Sequence, residues 1–424
     1  MQYNPSLHKL SNGVIVILDP MDNETTTVKV CFKTGSRDET PDEYGLTHFC
    51  EHMLFKGTRR FTTKKALDTY MELHGGIEGA GTGSSVLVLR GKILPENVNA
   101  MIELFGEQIL HSLFLPEKIE TERSVIIDEL RRAMDDPEEQ LGYFVSHRLF
   151  GGAIPSYRTL GNVENIMSFT RDQMLDWIGR RLSAKNCIVG ISGKIIDEQD
   201  LLNCLEKNLG ALPSFDVFEN SKIVYTPDVA HNLLPDKENV KLRIYYPDLY
   251  KQSLEKKYEQ KCINYFEAFL VRKLYRVLRY ENGLVYDFGG TNVGNEKQAW
   301  SGFATETSTD NIAKAMELIA KNSFDFYNNP TFTDDDLLRL RSEKRLFNAD
   351  WLESADARSR TLISFYIDFG QVYDHYEFVR IGRTITAQDI VEKSRGYFSG
   401  PMSIITQGDS FDADLKSVWC ESFK

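Results

Sequence analysis

Two histidines four residues apart with a glutamate beside them are the residues of this chain best placed to do chemistry. They are His48, Glu51 and His52, in the run Gly45-Leu46-Thr47-His48-Phe49-Cys50-Glu51-His52-Met53-Leu54-Phe55. After its first residue the run has neither proline nor glycine, and it reads as a helix. Residues four apart share a helix face, so both imidazoles can be presented to one metal. Neutral imidazole is a zinc ligand at about 2.0–2.1 Å. Glu51 follows His48 by three and lies near the same face, within reach of a water on that metal, whose pKa zinc lowers to about 7.

A catalytic zinc usually has three protein ligands and one open position. The candidate third ligand is Glu129, 77 positions after His52, in Glu122-Arg123-Ser124-Val125-Ile126-Ile127-Asp128-Glu129-Leu130. Glu122 and Glu129 are seven apart, two helical turns, so both carboxylates can face one site. One can ligate while the other hydrogen-bonds a histidine ring or the water. Taken alone, the five-letter motif has a lesser alternative, a solvated helix face with two ordinary histidines. The chain has only eight histidines in 424 residues, and the pair together with a distal acid favours the metal reading. His8, His74, His111, His147, His231 and His375 have no such company and read as surface or satisfied core residues.

Such a site needs rigid elements behind it. A chain of 424 residues exceeds the roughly 250–300 at which one hydrophobic core stops growing, so more than one domain is expected. Asn12-Gly13 marks a turn before Val14-Ile15-Val16-Ile17-Leu18, and Val28, Val30 and Phe32 alternate with Lys29, Cys31 and Lys33. This pattern predicts strands of a sheet with one covered face. Helical spacing follows in Val98, Met101, Ile102, Phe105 and Ile109, and returns in Ile312, Met316 and Ile319. The two halves echo each other: Phe114, Ile119, Arg123 and Ser124 recur as Phe332, Leu337, Arg341 and Ser342 at a constant offset of 218. The residues 218 after His48, His52 and Glu129 are Phe266, Leu270 and Phe347, so only the first half keeps metal chemistry. The expected fold class is α+β: two similar α/β-roll domains, each an antiparallel-type sheet with helices packed on one face. The expected boundaries are 1–215 for a catalytic zinc-binding domain, 216–235 for a proline-containing linker, and 236–424 for a homologous domain without the metal site.

Composition narrows the function. Hydrophobic residues make up 42% and charged residues 26%, ordinary globular usage that excludes a disordered or fibrous chain. Asp and Glu number 62 against 50 Lys and Arg, a formal charge of −12 and the wrong sign for a nucleic-acid partner. An acidic field can favour basic peptides, although a negative balance in a protein of this size is more often only a solvated surface. Cys31, Cys50, Cys187, Cys204, Cys262 and Cys420 show no C-x-x-C spacing, which argues against a disulfide framework and a thiolate zinc site and fits a reducing compartment. The first residues carry no basic and apolar leader, and no run of 18 apolar residues occurs. The expectation is a cytoplasmic protein, or one of an organelle matrix, without a membrane span.

The order H-x-x-E-H is the inverted zinc motif. The run from His48 to Thr58, with Glu122 to Glu129 downstream, resembles the pitrilysin/insulinase family, and most its single-half branch typified by the mitochondrial processing peptidase β subunit. The resemblance spans essentially the whole chain. It implies one zinc per chain on His48, His52 and Glu129, Glu51 as general base, and Glu122 as supporting carboxylate. In the second half, Leu278-Arg279-Tyr280-Glu281-Asn282-Gly283-Leu284-Val285-Tyr286 is similar to the family's Arg and Tyr pair seven residues apart. Arg279 and Tyr286 can bind the substrate backbone and the oxyanion formed on attack at a peptide carbonyl. Without the resemblance they would simply flank the Asn282-Gly283 turn. Family members enclose a chamber between two half-molecules, and this chain corresponds to one half. The implied partner is a second copy or a homologous subunit, whose zinc Arg279 and Tyr286 would then serve.

One stretch departs from the family pattern. An Asn-Ala-x-Thr edge strand usually follows Gly-Gly, whereas Gly75-Gly76-Ile77-Glu78 here leads into Gly79-Ala80-Gly81-Thr82. Substrate peptides of the family add to that edge as an extra strand. Gly79 keeps the backbone and loses an amide that could steady the scissile carbonyl. The same glycines do not form a phosphate loop, because no Gly-Lys-Ser/Thr follows. Ile263 to Arg276 contain no glycine, so the glycine-rich loop of the non-catalytic processing-peptidase subunit is missing. The leading expectation is therefore zinc-dependent hydrolysis of unstructured peptides or protein extensions. The alternative is a peptide-binding or assembly subunit that holds zinc without turnover. A purely structural zinc is disfavoured, since closed structural sites use four protein ligands, often cysteines.

Overall fold

The computed structural model of the chain describes residues 3–150, 159–218, 225–247, 254–294, 299–328, 331–398 and 400–422. It is a mixed α/β fold with two sheets. The chain divides into two compact units, each assembled from separated stretches. The first is Met1–Tyr143, Gly152–Val224 and Ala349–Tyr373; the second is Phe144–Gly151, Tyr225–Asn348 and Asp374–Lys424. The expected division at 215 and 236 is contiguous, whereas these units exchange a short segment in each direction.

In the first unit, β1 (Ser6–Lys9), β2 (Ile15–Pro20), β3 (Thr26–Phe32), β4 (Ile77–Thr82), β5 (Leu87–Ile93) and β6 (Cys187–Gly193) form one sheet in the order β1-β2-β6-β3-β5-β4. All pairs are antiparallel except β2 with β6. Val16, Val28, Val30, Phe32 and Leu89 share one core with Phe49, Met101 and Phe105. The opposite face is covered as well, which corrects the expectation of one covered face: Ile17, Cys31 and Ile188 pack against Trp351, Leu362 and Ile363. All seven residues of β3 are buried. Lys29 looked like a solvent-face residue because its ammonium is polar, but that ammonium pairs with Asp356 at 2.8 Å on the helix Ala355–Phe369. The same helix is fastened by Arg358, whose guanidinium pairs with Asp19, both side chains being 0% exposed.

In the second unit, β7 (Val229–Leu233), β8 (Asn239–Pro247), β9 (Phe288–Gly294), β10 (Ala299–Ser308) and β11 (Ser403–Gly408) run in the order β7-β11-β8-β10-β9. Phe266 and Leu270 from the helix Lys257–Tyr275 join Ile312, Met316 and Ile319 in its core. Residues 229–233 were expected in the linker and instead form β7, parallel to β11. The strand is short and carries His231 on one face and Asn232 on the other, so neither face shows an unbroken apolar set. Residues 219–224 of the expected linker lie outside the described residues.

The duplication is visible in the helices. α1 (Leu46–Leu54), α2 (Lys64–Leu73), α3 (Val98–His111) and α4 (Pro116–Asp135) belong to the first unit. The helix Asp334–Glu353 has the same twenty-residue length as α4, displaced by 218 at both ends. The repeated arginines do the same work. Arg123 donates to the backbone oxygens of Ile166 and Phe169, and Arg341 to those of Arg383 and Ile385 at 2.8 and 2.7 Å. Among the described residues no helix is long and apolar enough to cross a membrane.

Candidate metal centre

α1 carries the motif as expected. Leu46, Phe49, Cys50, Met53 and Leu54 are buried in the core, which leaves the face bearing His48, Glu51 and His52 turned toward the site. The helix begins at Gly45, whose φ of +93° and tight approach to Leu160 and Gly161 exclude a side chain: a Cβ there would lie 2.8 Å from the Leu160 oxygen. Glu39 closes the helix start by accepting from the Gly45 and Thr47 amides at 2.9 and 2.7 Å.

α4 brings the acids. Its buried face of Ile119, Glu122, Arg123, Ile126, Ile127 and Leu130 fixes its rotation, and the seven-residue spacing puts Glu122 and Glu129 on the same side. Glu129 Oε2 lies 3.8 Å from His48 Nε2 and 3.5 Å from His52 Nε2. The ligand atoms of these three residues all fall within 4.8 Å of one another. Ligands at about 2.0–2.1 Å around a tetrahedral ion stand roughly 3.3 Å apart, so this spacing fits one zinc-sized cation. Burial, with the neighbouring His52 ring adding to it, pushes His48 down to about 3, so its imidazole is neutral and can act as a donor. A neutral imidazole facing a carboxylate makes no ion pair by itself, and a cation completes the set. The donor chemistry therefore fits a metal.

Glu122 stands behind the ligands. One of its oxygens is 3.0 Å from His52 Nδ1, and the other receives Lys56 Nζ at 2.7 Å. Burial works to raise this carboxyl, but the hydrogen bonds from His52 and Lys56 outweigh it and hold the group below its ordinary value. Glu51 behaves in the opposite way. Burial pushes its carboxyl up, against a hydrogen bond from Thr82 Oγ1 at 2.5 Å. Thr82 ends β4, the outermost strand of the sheet among the described residues, so Gly79, Ala80, Gly81 and Thr82 lie along that edge beside α1.

Arg279 and Tyr286 lie in the second unit. Arg279 sits in a π-helical turn, Arg276–Glu281, stacks on the Tyr286 ring at 4.7 Å, and donates to the Val285 oxygen at 3.1 Å. Tyr286 is 80% exposed. At the positions 218 beyond the ligands, Phe266 and Leu270 are core residues and Phe347 is exposed. Sequence reasoning missed Glu39 and Lys56. Lys56 was readable as one helical turn beyond His52, while Glu39 reaches α1 across a loop and leaves no local signal.

Two family profiles fit the chain. One described as Insulinase (Peptidase family M16) matches residues 14–153, and one described as Peptidase M16 inactive domain matches residues 168–344, together about three quarters of the sequence. The chain belongs to peptidase family M16. Across 405 residues this M16 chain is 25% identical to a Rickettsia bellii protein named an uncharacterized zinc protease, covering 94% of this chain and 96% of that one. Over 198 residues it is 30% identical to the mitochondrial-processing peptidase subunit beta of Dictyostelium discoideum, covering 47% of this chain and 42% of that one. Its fold is similar to that of the periplasmic protease PqqL from Escherichia coli, with a TM-score of 0.83 at 17% identity; the match covers 100% of this chain and 51% of PqqL. The protein is thus a zinc-protease-like member of M16, and its length equals about half of that fold neighbour.

Proposed function

We propose that this M16 chain is a zinc-dependent endopeptidase that hydrolyses unstructured peptides or protein extensions inside a chamber completed by a second copy or a homologous subunit. The observation that carries the reading is the convergence of His48 Nε2, His52 Nε2 and Glu129 Oε2 beside a half-buried Glu51. In this reading those three residues hold one zinc per chain. Bound there, zinc supplies Lewis acidity that polarises a carbonyl and lowers the pKa of water to about 7. Glu51, its proton affinity raised by burial, takes the water proton and passes it to the leaving amine. Glu122 keeps His52 in its orientation and tautomer. Substrate joins the sheet at the free edge of β4 over Gly79, Ala80, Gly81 and Thr82. Arg279 and Tyr286 donate to the oxyanion, with Arg279 pre-oriented by its Val285 contact. The first half is then the catalytic domain, and the second a homologous half without metal.

All six cysteines are free, which supports a reducing compartment and, in this reading, a cytoplasmic one, with an organelle matrix as the alternative. Gly79 favours a second reading, a peptide-binding or assembly subunit that holds zinc without turnover, because no amide at that position steadies the scissile carbonyl. Cleavage of an unstructured basic peptide by the zinc-loaded protein and by its Glu51→Gln variant separates the two. The peptidase reading expects cleavage by the first alone; equal rates in both, or none in either, contradict it.

A further inference from the structure

Thr82 occupies two roles at once. It is the last residue of β4, the strand at the free edge, and its hydroxyl donates to Glu51 Oε2 at 2.5 Å. A carboxylate only accepts, so the hydroxyl is the donor and one Glu51 oxygen is committed to it. Among the described residues this is the one hydrogen bond made by the Glu51 carboxylate. A glutamate has three rotatable bonds, and a single anchor decides whether it holds one rotamer or several.

The strand carrying that anchor is built weakly. Gly81 and Gly79 stand one and three residues before Thr82, and among the described residues β4 has one ladder partner, β5. Neither glycine is required by packing. A Cβ at Gly79 would meet nothing within 4 Å, one at Gly81 would meet only Val88 Cγ1 at 3.9 Å, and neither has a positive φ. Their effect is on order: glycine in a strand gives up side-chain support and costs more conformational freedom when it is fixed. A peptide added along the open edge supplies the second ladder that β4 lacks.

We propose that Thr82 is a positioning residue that fixes the rotamer of Glu51, so that a substrate strand ordering the glycine-rich β4 also readies the base. The proposal rests on the peptidase reading and adds a coupling between recognition and chemistry. It explains why a recognition strand can be loose without being idle: a peptide strand added along β4 holds Thr82, and through its hydrogen bond the Glu51 carboxylate, in this one arrangement.

The test uses the full chain loaded with zinc, cleaving an unstructured basic peptide, with zinc content measured for every variant. Thr82→Val keeps shape and strand propensity and removes the donor. It is expected to lower kcat by about 10- to 100-fold with KM within about twofold and zinc content unchanged. Thr82→Ser, which restores the hydroxyl, is expected to return kcat to within about threefold of wild type. Gly79→Val, which stiffens the strand without a clash, is expected to raise kcat/KM in the wild-type background and to do nothing in the Thr82→Val background. Wild-type kcat in Thr82→Val, failure of serine to rescue, or the same gain from Gly79→Val in both backgrounds overturns the coupling while leaving the peptidase reading standing. A wild-type protein that carries zinc and does not cleave overturns the peptidase reading, and the coupling with it.

Discussion

The His52 ring is tied at Nδ1 to Glu122 at 3.0 Å. Because an ionised carboxylate cannot donate, the proton of this contact sits on Nδ1, and Nε2 is left with the lone pair that points toward Glu129. Lys56, at 2.7 Å from the second Glu122 oxygen, keeps the carboxylate ionised. Replacing Glu122 with Gln removes the charge that selects this tautomer. Zinc affinity is expected to fall by about 10- to 100-fold, the usual effect of losing a ligand's outer partner. Chelator competition reads this directly, and an unchanged affinity would remove Glu122 from the support of the site.

Arg123 and Arg341 make the same contact in the two repeats, each reaching backbone oxygens at the end of a later helix. Arg123 also lies over the Phe49 ring at 5.7 Å, on the helix that carries both histidines. Truncating Arg123 to Ala leaves two carbonyls without a charged donor, and about 2–3 kcal/mol of stability is expected to go with them. The urea midpoint measures it. A shift comparable to that of an ordinary surface arginine would show that water replaces the lost donors.

Stability of the first unit carries a pH signature from Glu78. Burial pushes this carboxyl up to about 7, and one of its oxygens is buried without a partner while the other accepts from Gln108 at 2.9 Å. The folded state holds a proton that the unfolded chain releases near the ordinary glutamate value of 4.5, so the stabilisation is complete below that value and is lost as the pH rises through 7. Glu39, pushed up to about 8 by burial, acts in the same direction. Glu78→Gln is expected to be more stable than wild type at about pH 8 by roughly 1 kcal/mol, with the advantage fading toward about pH 5, since a second amide can also satisfy the buried Gln108 oxygen. Denaturant midpoints of both proteins across this range check it. Parallel curves would mean that Glu78 titrates normally.

Much of the site was legible in the sequence because its geometry is local. Four residues along a helix bring His48 and His52 together, and seven bring Glu122 and Glu129 to one side, so helical periodicity alone gave each pair within its own helix. The pairing of α1 with α4 came from resemblance, since no local rule says that a helix 77 residues away docks there. The second cover of the first sheet was hidden for a related reason. Lys29 reads as solvent-facing until a helix from residues 355–369 supplies Asp356, and nothing near Lys29 in the chain announces it. β7 was missed because His231 and Asn232 bond to Thr406 and Gln407 side chains, contacts between segments 175 residues apart that mask the strand signal.

The measurement closest to the central claim is zinc bound per chain, determined by metal analysis after equilibration with zinc and removal of the excess, for wild type and for Glu129→Ala. One zinc in wild type and a loss of binding in the variant, with the fold intact by circular dichroism, is the predicted result. Wild-type protein that takes up no zinc, or a variant that binds it as tightly as wild type, would contradict the assignment of His48, His52 and Glu129 as the metal ligands.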